Sequence, residues 1–369
     1  MQNELYIGIM SGTSLDGVDT VLVSIDKEKI ERLATHNFPI PKPLREQVLA
    51  MNLSQPVTIA QVGSIDHQLG KLYAQAVQAL LTHSGHVADD ITAIGCHGQT
   101  VYHQPSGAER FTIQLGDANL IAAQTNITTI ADFRRKDMAL GGQGAPLVPA
   151  FHQAIFGLKD SSVVILNIGG IANISVLNPD GTVVGYDTGP GNMLMDAWCY
   201  QHQGQFYDQD AHWAKQGIIH SELLEELLAD SYFTLPAPKS TGREYFHLDW
   251  LRQHSVIESI NATDVQRTLC ELTAQTICDQ ITPFRQGHSP ALYVCGGGAQ
   301  NPLLMERLSD LLPHWAVSTT SEQGFDSDDM EAMAFAWLAY RRIHGLPSNL
   351  PAVTGACRPA SLGVIYYPD

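Results

Sequence analysis

Residues 5–25 run LYIGIMSGTSLDGVDTVLVSI, an apolar stretch, a turn of Gly, Ser and Thr, and a second apolar stretch; residues 163–177, VVILNIGGIANISVL, repeat that order with Gly-Gly at the turn. A chain that opens both halves with such a hairpin needs further strands to cover the apolar runs of each. Two hairpins of this kind facing one another would surround a polyphosphate with backbone N–H groups, because glycine lets main chain come that close. Hairpins of like pattern also recur by chance in a sheet-rich chain, so the pattern alone leaves both readings standing.

Around them, short apolar runs (TAIGC, FTIQL, SVVILNI, TVVGY, ALYVC) alternate with helical patterns over 59–83 (Ile59, Val62, Ile65, Leu69, Leu72, Ala76, Leu80, Leu81) and 263–282 (Val265, Leu269, Leu272, Ile277, Ile281). That alternation predicts an α/β protein with mostly parallel sheets. A chain of 369 residues exceeds one ordinary core. We expect an N-terminal domain over 1–160 and a C-terminal domain over 161–345 with a cleft between them; a return of about 346–369 to the first is left open.

Charge narrows the partners. With 21 basic against 38 acidic residues and a net charge of −17, the chain is a poor match for nucleic acid. It has neither a basic-led signal segment nor an apolar run of membrane-spanning length, so a soluble cytoplasmic protein without membrane contact is expected. The six cysteines form no C-x-x-C pair, which suits reduced structural thiols, and the histidines show no zinc-ligand spacing.

Several segments carry chemistry. The opening loop, Ser11-Gly12-Thr13-Ser14-Leu15-Asp16-Gly17-Val18-Asp19, offers amides and hydroxyls to phosphate and carboxylates to the waters of Mg²⁺, or is a plain turn; it is neither a Walker A loop nor a nucleophile elbow. In CGGGAQNPLLMERL (295–308) a strand ends in three glycines before a helix start at Asn301-Pro302, an arrangement that binds a ligand or simply packs strand on helix. In GYDTGPGNMLMDAW (185–198) a strand delivers Asp187 to a Gly-Pro-Gly turn, where it can act as a general base or as a helix cap, a task open to Asn192 as well. Arg134 and Arg135 suggest an anion site or surface ion pairs, and His97 with Gln99 suits a sugar or the core. Glu331 opens a helix, where the dipole favours a carboxylate whatever its function.

In order, GIMSGTSLDGVD, CHGQT, DFRRKDMALGGQGAPLVP, NIGGIANIS, DTGPGNMLMD, STGREYF, CGGGAQNP and EAMAFAWLA resemble the anhydro-N-acetylmuramic acid kinase family of the actin/hexokinase-like ATPase superfamily, over nearly the whole chain. The resemblance implies a two-domain fold with a duplicated mixed-sheet core and a role in peptidoglycan recycling. By it, Asp187 is the catalytic base. ATP is held by Ser11, Gly12, Thr13, Ser14, Asp16, Gly17, Asp19, by Gly169, Gly170 and Asn173, and by Gly296, Gly297, Gly298 and Asn301. The sugar, 1,6-anhydro-N-acetylmuramic acid, is lined by His97, Gln99, Arg134, Arg135, Asp137 and Glu331. Asp16 and Asp19 are both candidates for Mg²⁺, because the aspartate usual at the end of the first strand in hexokinase-like hairpins is replaced by Ile9-Met10. An ordinary sugar kinase or a nucleotide-gated binding protein of the same fold is the alternative, and a homodimer is left open.

The substrate sets the chemistry. O6 of an anhydro sugar is a bridging ether with no proton to remove, so the base must activate water, which attacks C1 while the released O6 takes the γ-phosphoryl group.

Overall fold

The computed structural model describes residues 3–369 except 13, 14, 16, 27, 28, 53–55, 159, 238, 243, 244, 327 and 328. In chain order its strands are β1 (Glu4–Met10), β2 (Val18–Ile25), β3 (Ile30–Phe38), β4 (Ile91–Cys96), β5 (Gln99–Gln104), β6 (Phe111–Leu115) and β7 (Thr129–Ala131). There follow β8 (Val163–Ile168), β9 (Ile171–Leu177), β10 (Val183–Pro190), β11 (Ala291–Cys295), β12 (Ala316–Thr319) and β13 (Val364–Tyr366). The chain divides into unit 1, Met1–Ile155 with Asp328–Asp369, and unit 2, Phe156–Ser327.

Unit 1 carries a six-stranded sheet in the order β3-β2-β1-β4-β7-β13, and unit 2 a five-stranded sheet in the order β10-β9-β8-β11-β12. In each, three antiparallel strands are followed by two parallel ones: β1 pairs antiparallel with β2 and parallel with β4, as β8 does with β9 and β11. The fold is thus α/β with a mixed sheet built twice, and each copy opens with the hairpin visible in the sequence. The parallel centre explains the continuous apolar runs, since β1 and β8 are covered on both faces.

The helix Ile59–Ser84 begins at a capping box in which Thr58 and Gln61 satisfy each other's backbone, and it ends at the left-handed Gly85. Its core face is Ile65, Leu69, Leu72, Tyr73, Ala76 and Leu80; Ile59, expected in the core, stands in the solvent-facing first turn and is 92% exposed. In unit 2 the helix Ala262–Ile281, capped by Asn261, buries Val265, Leu269, Leu272, Ile277 and Ile281 against β8, β9 and β11 residues.

The stretch 328–345, kept with the second half in the sequence reading, falls in unit 1. The helix Met330–Ile343 lies directly on β1 and β4, where a methyl group on Gly8 or Gly95 would collide with the carbonyl oxygens of Ala332 and Phe335. Alanines at 332, 334, 336 and 339 let the helix come down so close. All six cysteines are free; five are buried, and Cys357 is exposed.

Candidate active site

In unit 1 a polar cluster grows from the ends of β1 and β4. Ser11, just past β1, donates its hydroxyl to Gln99 Oε1 at 2.6 Å, and both side chains are buried. A residue expected at phosphate and one expected at the sugar are thus bonded to each other. His97 follows β4 and packs at 4.7 Å, ring to ring and tilted by 38°, against Phe335. Arg134, on the short helix Phe133–Ala139, directs Nε and Nη2 at His97 Nε2 (3.1 and 2.8 Å) and donates from Nη1 to the carbonyl of Gly144 at 2.8 Å. A ring nitrogen that accepts from a guanidinium is unprotonated, so the imidazole is neutral with its hydrogen on Nδ1. Burial, and then the Arg134 charge, hold the His97 pKa well below its ordinary value.

Glu331 opens the helix Met330–Ile343 and reaches solvent while ringed by protein; desolvation raises its pKa, Arg134 opposes that, and Asp19 adds to it. Asp19, on β2 opposite Met10, accepts from Asn37 Nδ2 at 2.7 Å. Gly17 presses on the Asn37 amide, where a Cβ would collide. Thr13, Ser14 and Asp16 lie outside the described residues.

Two sugar candidates are placed differently from expectation. Arg135 turns to the surface and donates from Nε to Asp132 at 2.7 Å, while Arg134 turns inward. Asp137 is fully buried, and described residues already use both its oxygens: Oδ2 accepts from Gly144 N at 2.9 Å, Oδ1 from Asn349 Nδ2 and Thr354 Oγ1, each at 2.8 Å. It is a staple of the fold rather than a sugar ligand. Asn349 and Thr354 carry no motif that would have marked them.

In unit 2, Asp187 sits on β10 opposite Asn173, at a bulge that inserts Thr188 before Gly189 resumes the pairing. Thr188 is buried and donates to Ala172 O at 3.2 Å, so the bulge turns its own side chain inward. The segment 239–241 holds Asp187: its N–H donates to Lys239 O at 3.1 Å, and Oδ2 accepts from Ser240 Oγ (2.8 Å) and Thr241 N (3.0 Å). Tyr232 Oη donates to the Asp187 carbonyl at 2.8 Å. No described residue donates to Oδ1. Asp187 caps no helix, and Asn192, beside the start of Met193–Gln203, bonds with Nδ2 to Ile168 O instead.

Gly169 and Gly170 form the β8–β9 turn and accept from the amides of Gly191, Asn192 and Met193 at 2.8–3.2 Å, which ties the second hairpin to the turn after Asp187. The glycine loop divides its labour. Gly296 takes φ +80°, Gly298 packs on Ile168, and Asn301 caps the helix Pro302–Leu311 by accepting from Leu304 N at 3.0 Å. Gly297 and Asn301 line a cavity of about 470 Å³ with Asn192, Met195, Tyr207 and Gln266, a size that suits a small molecule.

Two α/β units, each with a hairpin and a glycine turn, one holding a poised carboxylate and the other an inward-turned, half-buried arginine, define an enzyme-like two-unit α/β protein. Its residues 4–368 match the model of the anhydro-N-acetylmuramic acid kinase family, and the chain belongs to that family. It is 66% identical to the anhydro-N-acetylmuramic acid kinase of Vibrio cholerae serotype O1, covering 100% of both chains, and 53% identical to that of Actinobacillus pleuropneumoniae serotype 7, covering 99% and 100%. Among solved structures it is similar to an activator of 2-hydroxyisocaproyl-CoA dehydratase from Clostridium difficile with bound ADPNP, at 12% identity and TM-score 0.42, over 92% and 96% of the two chains.

Proposed function

We propose that this protein uses ATP and water to open 1,6-anhydro-N-acetylmuramic acid and phosphorylate its O6, giving N-acetylmuramic acid 6-phosphate and ADP in the cytoplasm. The observation that carries the reading is Asp187, whose Oδ2 is fixed by two donors while Oδ1 receives none from a described residue. A carboxylate oriented but not consumed is what a general base requires. Asp187 takes a proton from water, the water oxygen bonds to C1, the C1–O6 bond breaks, and O6 receives the γ-phosphoryl group as ADP leaves.

Unit 1 supplies His97, Arg134 and Glu331 to the sugar, with Gln99, fully buried and bonded to Ser11, standing behind them. Arg134 has five N–H groups, of which three are engaged by His97 and Gly144, so two remain for the lactyl carboxylate in the paired geometry that arginine favours. ATP is assigned to Ser11, Gly12, Thr13, Ser14, Gly17, Gly169, Gly170, Asn173 and Gly296–Gly298, with the cavity beside Gly297 and Asn301 taking its uncharged end. Among the described residues no three potential ligands cluster, but Mg²⁺ on a nucleotide needs only one or two carboxylates plus water and phosphate. Asp19, a partly exposed carboxylate, fits that requirement, and the ion would neutralise phosphate charge there; Asp16 is the alternative.

Coupled detection of ADP across a panel of sugars tests the reading. Release should depend on the anhydro sugar, and turnover of N-acetylglucosamine or glucose at equal efficiency would overturn it.

A further inference from the structure

We infer that the C-terminal segment around Asn349 and Thr354 positions Arg134 for the carboxylate of the sugar, acting through Asp137 and Gly144. The inference rests on the proposed function, since it needs Arg134 to meet that carboxylate. Thr354 Oγ1 and Asn349 Nδ2 both donate to Asp137 Oδ1 at 2.8 Å, Gly144 N donates to Asp137 Oδ2 at 2.9 Å, and Gly144 O accepts from Arg134 Nη1 at 2.8 Å. One residue, Gly144, thus passes position from the buried Asp137 side chain to the guanidinium through its two flanking peptide groups.

The chain of contacts has little slack. Asp137 is wholly buried, Thr354 is 1% exposed and Asn349 5%. Gly144 adopts φ +72°, with Met138 and the Arg134 carbonyl where a Cβ would sit, so no ordinary residue reproduces its path. Two further bonds clamp the same loop to the same segment: Gln143 N to Thr354 O and Cys357 N to Leu140 O, each at 2.8 Å. Asn349 is itself fixed, accepting from Ala360 N at 2.7 Å. Arg134 is pinned on its other edge by His97, so Gly144 O decides where the two remaining N–H groups point. Misplacement of an oriented donor pair weakens binding of the planar acceptor that it matches.

The readout is the kcat/KM for sugar and the calorimetric sugar affinity of wild type, Thr354→Val, Thr354→Ser, Arg134→Ala and the Thr354→Val/Arg134→Ala double variant. Thr354→Val, of equal shape but without the hydroxyl, should weaken sugar use about two- to tenfold, the worth of one hydrogen bond, and leave the KM for ATP unchanged. Thr354→Ser should restore it. In the Arg134→Ala background the same change should add nothing, because its effect passes through the missing guanidinium. An equal loss in both backgrounds, or unchanged sugar affinity in folded Thr354→Val, overturns the inference. Should Thr354→Val fail to fold, Asn349→Ser is read in the same cycle against the same outcomes. A wild-type enzyme that releases no ADP with the anhydro sugar would instead sink the functional reading itself.

Discussion

Asp187 owes its aim to one extra residue. Thr188 fills the bulge in β10, and the 239–241 segment then grips a single carboxylate oxygen. Asp187→Asn should keep nucleotide affinity and lose roughly 10²–10⁴-fold in kcat, as removal of a general base does; near-normal turnover would take it out of the mechanism. Stereochemistry sharpens this. The anhydro bridge occupies the β face, so in-line attack by water held at Asp187 comes from the α face, and fast proton NMR should show the α-anomer of the product first. An initial β-anomer would point to a covalent sugar intermediate. The place of Asp187 was legible because it stands where the apolar run TVVGY gives way to polar residues and a Gly-Pro-Gly turn. The role of Asp137 was not, because nothing in KDMALGG says that Asn349 and Thr354, more than 200 positions later, will close over it. The donors to Asp187, Ser240 and Thr241, lie in STGREYF, which carries no spacing that ties them to a strand some 50 residues earlier.

Among elements, the helix Met330–Ile343 tolerates little change where it meets the sheet. Its backbone meets β1 and β4 where Gly8 and Gly95 leave room, and backbone cannot move aside as a side chain can. Gly8→Ala should destabilise unit 1 by roughly 1–3 kcal/mol or more, the cost of overpacking, and chemical denaturation would register it. Thr58→Ala, which removes only a cap from an exposed helix start, should cost about 1 kcal/mol. A Gly8→Ala protein as stable as wild type would mean that the helix seats itself elsewhere. Periodicity found both long helices to within a residue or two at each end, because a 3.6-residue apolar rhythm survives over many turns. It gave no hint that 330–343 serves β1, since hydrophobic rhythm marks a buried face without naming its partner.

For the molecule as a whole, acid should act unevenly. His97 and His152 both belong to unit 1, and burial lowers their pKa values, that of His152 to about 3. Unfolding returns each to an ordinary value near 6.5. The unfolded chain then binds more protons below that pH, so stability present above about 6.5 is lost as the pH falls. Between pH 7.5 and 5.5 His152 alone should cost unit 1 about 1.4 kcal/mol, and His97 adds to it in the same direction; the raised carboxyl of Glu331 works the other way, just above its ordinary value. Of the five tryptophans, Trp337 alone lies in unit 1. The difference in fluorescence between wild type and Trp337→Phe therefore isolates its transition, whose urea midpoint should drop on acidification. A midpoint that stays put would mean that these imidazoles protonate without unfolding.

Unit 1 is also finished last. Its sheet begins with residues 4–10, yet the helix that covers β1 and the strand that closes the far edge lie at 330–343 and 364–366. On the ribosome, the 156–327 unit can complete its core while the first sheet still waits, one apolar face bare, for residues 328–369 to emerge. A stalled or truncated message would therefore release a chain whose second half is sound and whose first half is an exposed sheet, a natural target for chaperones and proteases.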